Sequence, residues 1–222
     1  YNEADLKKLT NQIAELKKIP QPVQRSPEWF KFRQDRITAS NLASVVDKDL
    51  FTSRNKLIWK KAGGEEKFFA GKAVAHGVKY EDVAVQVYEF RNKVKVYEYG
   101  CIPHPDINIF GASPDGICDP DSENKNYVGR MLEIKCPYSR PLTGIVPLYY
   151  YYQVQGQLEV CDLEYCDFEE CKIVEFEDAE EYFQDTHPSG KPELHSDGLE
   201  KGILIEASDS NTDGKKFFYA PL

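Results

Sequence analysis

The chain has 222 residues, of which 41% are hydrophobic and 29% charged, and its 28 Lys and Arg against 37 Asp and Glu give a formal net charge of −9. That length fits one domain, large enough to bury roughly 70–75% of the surface of its unfolded chain without a disulfide or metal staple. The apolar runs fall well short of the roughly 20 residues of a membrane span, which excludes a transmembrane helix, and no membrane partner is expected. Leu6, Leu9, Ile13 and Leu16 recur at helical spacing in a Lys/Glu-rich stretch that stops before Pro20, predicting an amphipathic helix followed by a linker over 21–25. Ser26-Pro27-Glu28 is a helix start, with a hydroxyl cap, proline at the first helical position and an acid in the first turn. That helix carries Trp29, Phe30 and Arg33, and a second short one begins near Ser40.

A further helix is predicted from Ser53 to Ala62, closed by Gly63-Gly64, and a longer one from Ala73 to Asn92. The longer helix presents Val74, Val78, Glu81, Val85 and Tyr88 around one broad face. Strand patterns then follow around Val94–Tyr97, Ile107–Ala112, Ile117–Cys118, Met131–Cys136 and Tyr165–Phe176, with one helix over Leu148–Val160. Most of the Tyr149–Tyr152 run should lie in the core, with the remainder free to stack on bases. From Asp185 on, Gly, Pro, Ser and Asp predict loops with one short strand near Ile203–Ile205. This order implies an α/β (α+β) chain with a mixed central sheet flanked by helices.

Ser113-Pro114-Asp115-Gly116 is followed, seventeen residues after Asp115, by Leu132-Glu133-Ile134-Lys135. On a strand, Glu133 and Lys135 project to one side about 6.6 Å apart, while Leu132 and Ile134 face the core. Asp115 sits at a Pro/Gly turn that can deliver its carboxylate to the same pocket. Two acids, the Ile134 carbonyl and waters make the hard oxygen site that Mg²⁺ takes, and the lysine can orient or deprotonate a water or stabilise phosphate charge. Upstream, Trp29-x-x-x-Arg33 leads to Ile37-Thr38-Ala39-Ser40, placing a guanidinium fork and a hydroxyl at a helix start, which suits a terminal phosphate. Tyr150, Gln153 and Gln157 share one face of their helix, and Gly156 within it implies close approach of another element.

The order and spacing of these motifs resemble the PD-(D/E)xK nucleases. From Ser26 to Val160 the chain is similar to their lambda exonuclease and YqaJ-type viral recombinase branch. The resemblance lies in Trp29 through Ser40, Gly77-Val78-Lys79-Tyr80-Glu81, Gly111 through Gly116, Leu132-Glu133-Ile134-Lys135-Cys136-Pro137 and Tyr152-Gln153-Val154-Gln155. It implies a restriction-endonuclease-like core over 26–185, preceded by a helix and linker over 1–25 and followed by a loop-rich extension of the same domain over 186–222. It also implies that Asp115, Glu133 and the Ile134 carbonyl hold Mg²⁺, with Mn²⁺ as a substitute. Glu81 would add a carboxylate, Lys135 would assist the water, and Gln153 would meet the water or the scissile phosphate. Arg33, Ser40 and Ser113 would grip a 5′-phosphate.

The implied activity is 5′-to-3′ degradation of one strand of duplex DNA, leaving a 3′ overhang. Duplex ends, a single-strand annealing protein and a homo-oligomer are the expected partners, and the expected setting is intracellular, in cytoplasm or nucleus, with a viral or phage-like origin. An endonuclease or RNA nuclease of the same fold, or a non-catalytic DNA-end-binding protein, remains an alternative. Residues 1–100 hold 19 Lys and Arg against 13 Asp and Glu, and 101–222 hold 9 against 24, so the acidity lies mostly outside the phosphate-facing motifs. Arg54, Lys56, Lys60 and Lys61 either track the DNA backbone or form solvated surface, and His76, one turn before Tyr80 on the long helix, has contact with DNA only as its lesser alternative. Cys161, Cys166 and Cys171 are evenly spaced, but without an evident fourth ligand they predict small strand hydrophobes and no iron–sulfur cluster. His104, His187 and His195 lack zinc spacing and are expected in loops.

Overall fold

Side-chain caps set the first helices where the sequence places them. Asn2, Ser26 and Ser53 accept from the backbone N–H of Asp5, Trp29 and Lys56, starting α1 (Glu3–Lys18), α2 (Pro27–Gln34) and α4 (Arg54–Lys61). Between α2 and α4 lie β1 (Ile37–Thr38), a 3₁₀ turn (Ala39–Asn41) and α3 (Leu42–Val45). After them come α5 (Lys72–Asn92), β2 (Val96–Tyr97), β3 (Ile102–Pro103), β4 (Phe110–Ala112), β5 (Gly116–Cys118) and β6 (Met131–Lys135). The chain ends with α6 (Leu148–Cys161), β7 (Cys166–Glu170), α7 (Ala179–Gln184), β8 (Leu204–Ser208) and β9 (Lys215–Tyr219). This is a computed structural model, and it describes residues 1–64, 71–208 and 215–221.

Two compact units divide the chain. The first comprises Tyr1–Phe69, Lys93–Ile134 and Leu142–Glu169, and the second Ala70–Asn92, Lys135–Pro141 and Glu170–Leu222. In the first, β4 pairs in parallel with β1 and antiparallel with β3, while β2, β5, β6 and β7 form a four-stranded sheet in that order. The class is mixed α/β, as the pattern of helices and strands predicts. Ile13 and Leu16 of α1 reach a core shared with Tyr99, Ile102, Ile117, Met131 and Val160, all buried. An ion pair from Lys17 to Asp119 and a hydrogen bond from Gln12 to the Asp162 carboxylate (2.9 Å) hold α1 in place.

The close approach expected at Gly156 is present. A Cβ there would overlap the Leu42 side chain and stand 3.2 Å from both Ala39 Cβ and Phe110 Cζ, so α6 presses on the segment that begins at β1 and on β4. Alanine gains about 1 kcal/mol of helix propensity, but overpacking costs about 1–3 kcal/mol. Gly156→Ala is expected to lower the melting temperature by a few degrees, measured by circular dichroism.

In the second unit the core side of α5 is Tyr80, Ala84, Val87 and Tyr88, whereas Val74 and Val78 are 47% and 38% exposed. The face expected from sequence is therefore rotated, because apolar side chains lie almost all round this helix and burial alone selects among them. Lys79 Nζ lies 2.6 Å from Glu175, whose carboxylate Tyr80 also meets, and Tyr219 donates to the Lys79 carbonyl at 2.8 Å. Burial, with Glu175 as its hydrogen-bond partner, pushes the Tyr80 phenol up to about 12.

The C-terminal region holds more structure than one strand. α7 was not expected, and β8 pairs antiparallel with β9 from Leu204↔Tyr219 to Ser208↔Lys215. Lys201 anchors it, nearly buried and donating to the carbonyls of Tyr182 (2.9 Å) and Asp185. The sequence shows only half of a hairpin when its second strand reads Lys-Lys-Phe-Phe-Tyr, without clean alternation.

Candidate active site

The turn after β4 returns the chain antiparallel along β6. Gly116 pairs with Leu132 and Ile117 with Met131, so Asp115, in the bend immediately before β5, follows the end of this ladder beside Glu133 of β6. Asp115 Oδ2 accepts the backbone N–H of Ile134 at 2.7 Å, so strand pairing itself fixes this carboxylate. Leu132 and Ile134 are buried as alternation requires, and Glu133 is fully buried at 0% exposure. Lys135, on the Glu133 face of β6, is half-buried.

Two glutamines one turn apart on α6 reach Glu133. Gln153 Nε2 lies 2.7 Å from one carboxylate oxygen and Gln157 Nε2 lies 2.7 Å from the other. Gln153 had an expected role; Gln157 had none, although its i, i+4 spacing from Gln153 was the available signal. The tyrosines before them are less buried than expected, with Tyr151 52% exposed and Tyr149, Tyr150 and Tyr152 half-buried. Their rings make contacts with one another and with Phe51 and Phe168.

Arg33 stacks over Trp29, with its guanidinium carbon 4.2 Å from the ring centroid, and donates to Ser40 Oγ at 3.1 Å. Trp29 Nε1 donates to Ser113 Oγ, which gives its own proton to the Gly100 carbonyl at 2.9 Å. Ser113 therefore supports Trp29 and can offer a phosphate a proton only by leaving Gly100. Lys61 donates to the Arg33 carbonyl at 2.6 Å. Burial lowers the Arg33 guanidinium from its ordinary value, opposed by the Cys101 thiol and Glu133. Burial, and then the charge of Arg33, lower Lys61. Burial raises the Cys101 thiol against the pull of Arg33, Arg36 and Lys61. Among the described residues neither Arg33 nor Lys61 is ion-paired with a carboxylate, so an anion bound there would meet two poorly solvated cations.

Glu81 lies half-buried on α5 in the second unit. His76 sits on the same helix, its ring against Tyr80 and Tyr138, and burial lowers its pKa. Among the described residues, no group of three or more His, Cys, Asp and Glu side chains is placed to hold a metal. Asp115 and Glu133 nevertheless fit a divalent cation by donor chemistry, since both offer hard oxygens and Mg²⁺ is commonly held by one or two carboxylates with substrate phosphate completing the shell. His104 is buried and caps its own turn, accepting from Asp106 and Ile107. No described helix is long and apolar enough to cross a membrane.

The chain is 38% identical over 224 residues to an uncharacterized protein of Acanthamoeba polyphaga mimivirus, a match covering 96% of the chain and 41% of that protein. It is 27% identical over 160 residues to a protein of African swine fever virus (strain Badajoz 1971 Vero-adapted), covering 62% of the chain and 46% of that relative. The chain thus spans less than half the length of these curated relatives. Among solved structures it resembles an alkaline exonuclease, LHK-Exo, from Laribacter hongkongensis, with a TM-score of 0.54 and 31% identity over 66% of the chain and 74% of that one. A crystal structure of LHK-Exo in complex with dAMP matches with the same TM-score and identity, over 65% and 73%. The model of the YqaJ-like viral recombinase domain matches residues 28–164, the stretch that contains Arg33, Asp115, Glu133, Lys135 and both glutamines, and the chain belongs to that family.

Proposed function

We propose that the protein is a Mg²⁺-dependent exonuclease that resects one strand of duplex DNA from a 5′-phosphorylated end and leaves a 3′ single-stranded overhang for recombination or repair. The observation that carries this reading is Asp115, in the bend before β5 and bonded to the Ile134 N–H of β6, beside Glu133, which is held from α6. Nucleases of this family generally use divalent metals. Asp115, Glu133 and the Ile134 carbonyl would hold the cation. Once bound, it would supply Lewis acidity toward the scissile phosphate and acidify a water. Lys135 orients or deprotonates the attacking water or stabilises developing phosphate charge, and Gln153 bridges Glu133 and the reacting phosphate. Arg33, with Ser40, takes the terminal phosphate, which sets the polarity of digestion. The working core spans 26–185, and the overhang is the substrate that an annealing protein would receive.

Strand-specific end-labelled duplex tests the reading. Loss of nucleotides from the 5′ end in Mg²⁺, with a covalently closed circle left intact, is the expected result. The preference for a 5′-phosphate over a 5′-hydroxyl should fall about 10-fold in Arg33→Lys, which loses the planar fork and the stacking on Trp29. Efficient cutting of the circle, equal digestion of RNA, or tight end binding without metal-dependent digestion would each overturn it.

A further inference from the structure

Gln157 has no part in the chemistry outlined above, yet its side chain is almost completely enclosed, at 1% exposure. Its Nε2 lies 2.7 Å from Glu133 Oε2 and 3.3 Å from the Ser113 carbonyl, so both amide hydrogens have acceptors. Its Oε1 is buried and has no hydrogen-bond partner among the described residues. A buried acceptor left without a donor keeps an uncompensated desolvation cost. Methionine would fill a similar volume without that cost. Turning the amide over gives no relief, because Oε1 would then face a carboxylate and a carbonyl, neither of which can donate. The side chain is therefore oriented wholly by what it gives to Glu133 and Ser113.

Gln153 gives to the other oxygen of the same carboxylate. The terminal torsion of a glutamate is soft, so a single donor leaves the carboxylate free to turn. Two donors one helical turn apart on α6 fix its plane from a rigid element. Groups that orient a metal-binding side chain typically carry 10–100-fold in metal affinity.

We propose that Gln157 is a positioning residue which, with Gln153, fixes the plane of the Glu133 carboxylate and so sets the affinity of the Asp115–Glu133 pair for a divalent cation. This rests on the metal-site reading above. The test is isothermal titration of Mn²⁺ or Mg²⁺ into the full chain without DNA, comparing wild type with Gln157→Met. Gln157→Asn, which keeps an amide but withdraws it by one methylene, serves if the methionine variant does not fold. The dissociation constant is expected to rise about 10-fold or more. The Mg²⁺ needed for half-maximal digestion should rise by the same factor, saturating Mg²⁺ should restore most of kcat, and KM for DNA should stay unchanged. A lowered melting temperature with unchanged metal affinity would overturn the positioning role and leave the nuclease reading intact. A wild-type chain with no measurable affinity for either ion would overturn both.

Discussion

Asp115→Asn is expected to remove the rise in melting temperature that Mg²⁺ gives the wild type and to lower metal-dependent digestion by about 10³-fold or more, with the fold retained. The fold should survive because Asp115 accepts the backbone N–H of Ile134 at 2.7 Å, and the asparagine carbonyl can accept that bond in the same place. What disappears is charge: one of the two carboxylates proposed to hold the cation becomes a neutral amide. A ligand present at about ten times its dissociation constant stabilises a protein by about 1.4 kcal/mol. For a chain of this length that is a shift of about 3–5 °C. Thermal melting at 0 and 10 mM Mg²⁺ reads the binding, and end-labelled digestion reads the chemistry. A variant that keeps the full Mg²⁺ shift would remove Asp115 from the metal site.

The parts of this site that were legible in the sequence share a physical reason. Asp115 sits in a turn whose Pro and Gly declare it, and Glu133 and Lys135 lie on a short strand whose alternation with Leu132 and Ile134 assigns each side chain to a face. The early helices were legible for a similar local reason, since Ser26 and Ser53 cap them through bonds made within three residues. Less legible was whatever depends on elements distant in the chain. Gln157 acquires a role only when α6 lies over β6, twenty-four residues away, and Ser113 becomes a support for Trp29 only when α2 packs beside it. The buried side of α5 and the β8–β9 hairpin were missed because neither has a pattern of its own strong enough to select one face or one register. Local chemistry thus announced the acids and the lysine of the candidate site, while the side chains that contact Glu133 became visible through packing.

Lys135→Ala separates binding from chemistry. If Lys135 handles the attacking water or the developing phosphate charge, its loss should lower kcat by about 10²–10⁴-fold. The Mg²⁺-induced melting shift and KM for DNA should remain near wild type, the opposite of the Asp115→Asn outcome. Strand alternation motivates this division of labour: Lys135 lies two residues beyond Glu133 on β6 and projects to the same side of the strand about 6.6 Å further along. Lys135→Arg then distinguishes the two roles a lysine can play there. A guanidinium keeps the positive charge but does not give up a proton near neutral pH. Substantial recovery of kcat in the arginine variant identifies charge stabilisation as the main contribution, whereas continued loss identifies proton transfer or the compact ammonium geometry. If Lys135→Ala digests DNA at the wild-type rate, the lysine has no catalytic role, and water activation must come from the carboxylates and the cation they hold.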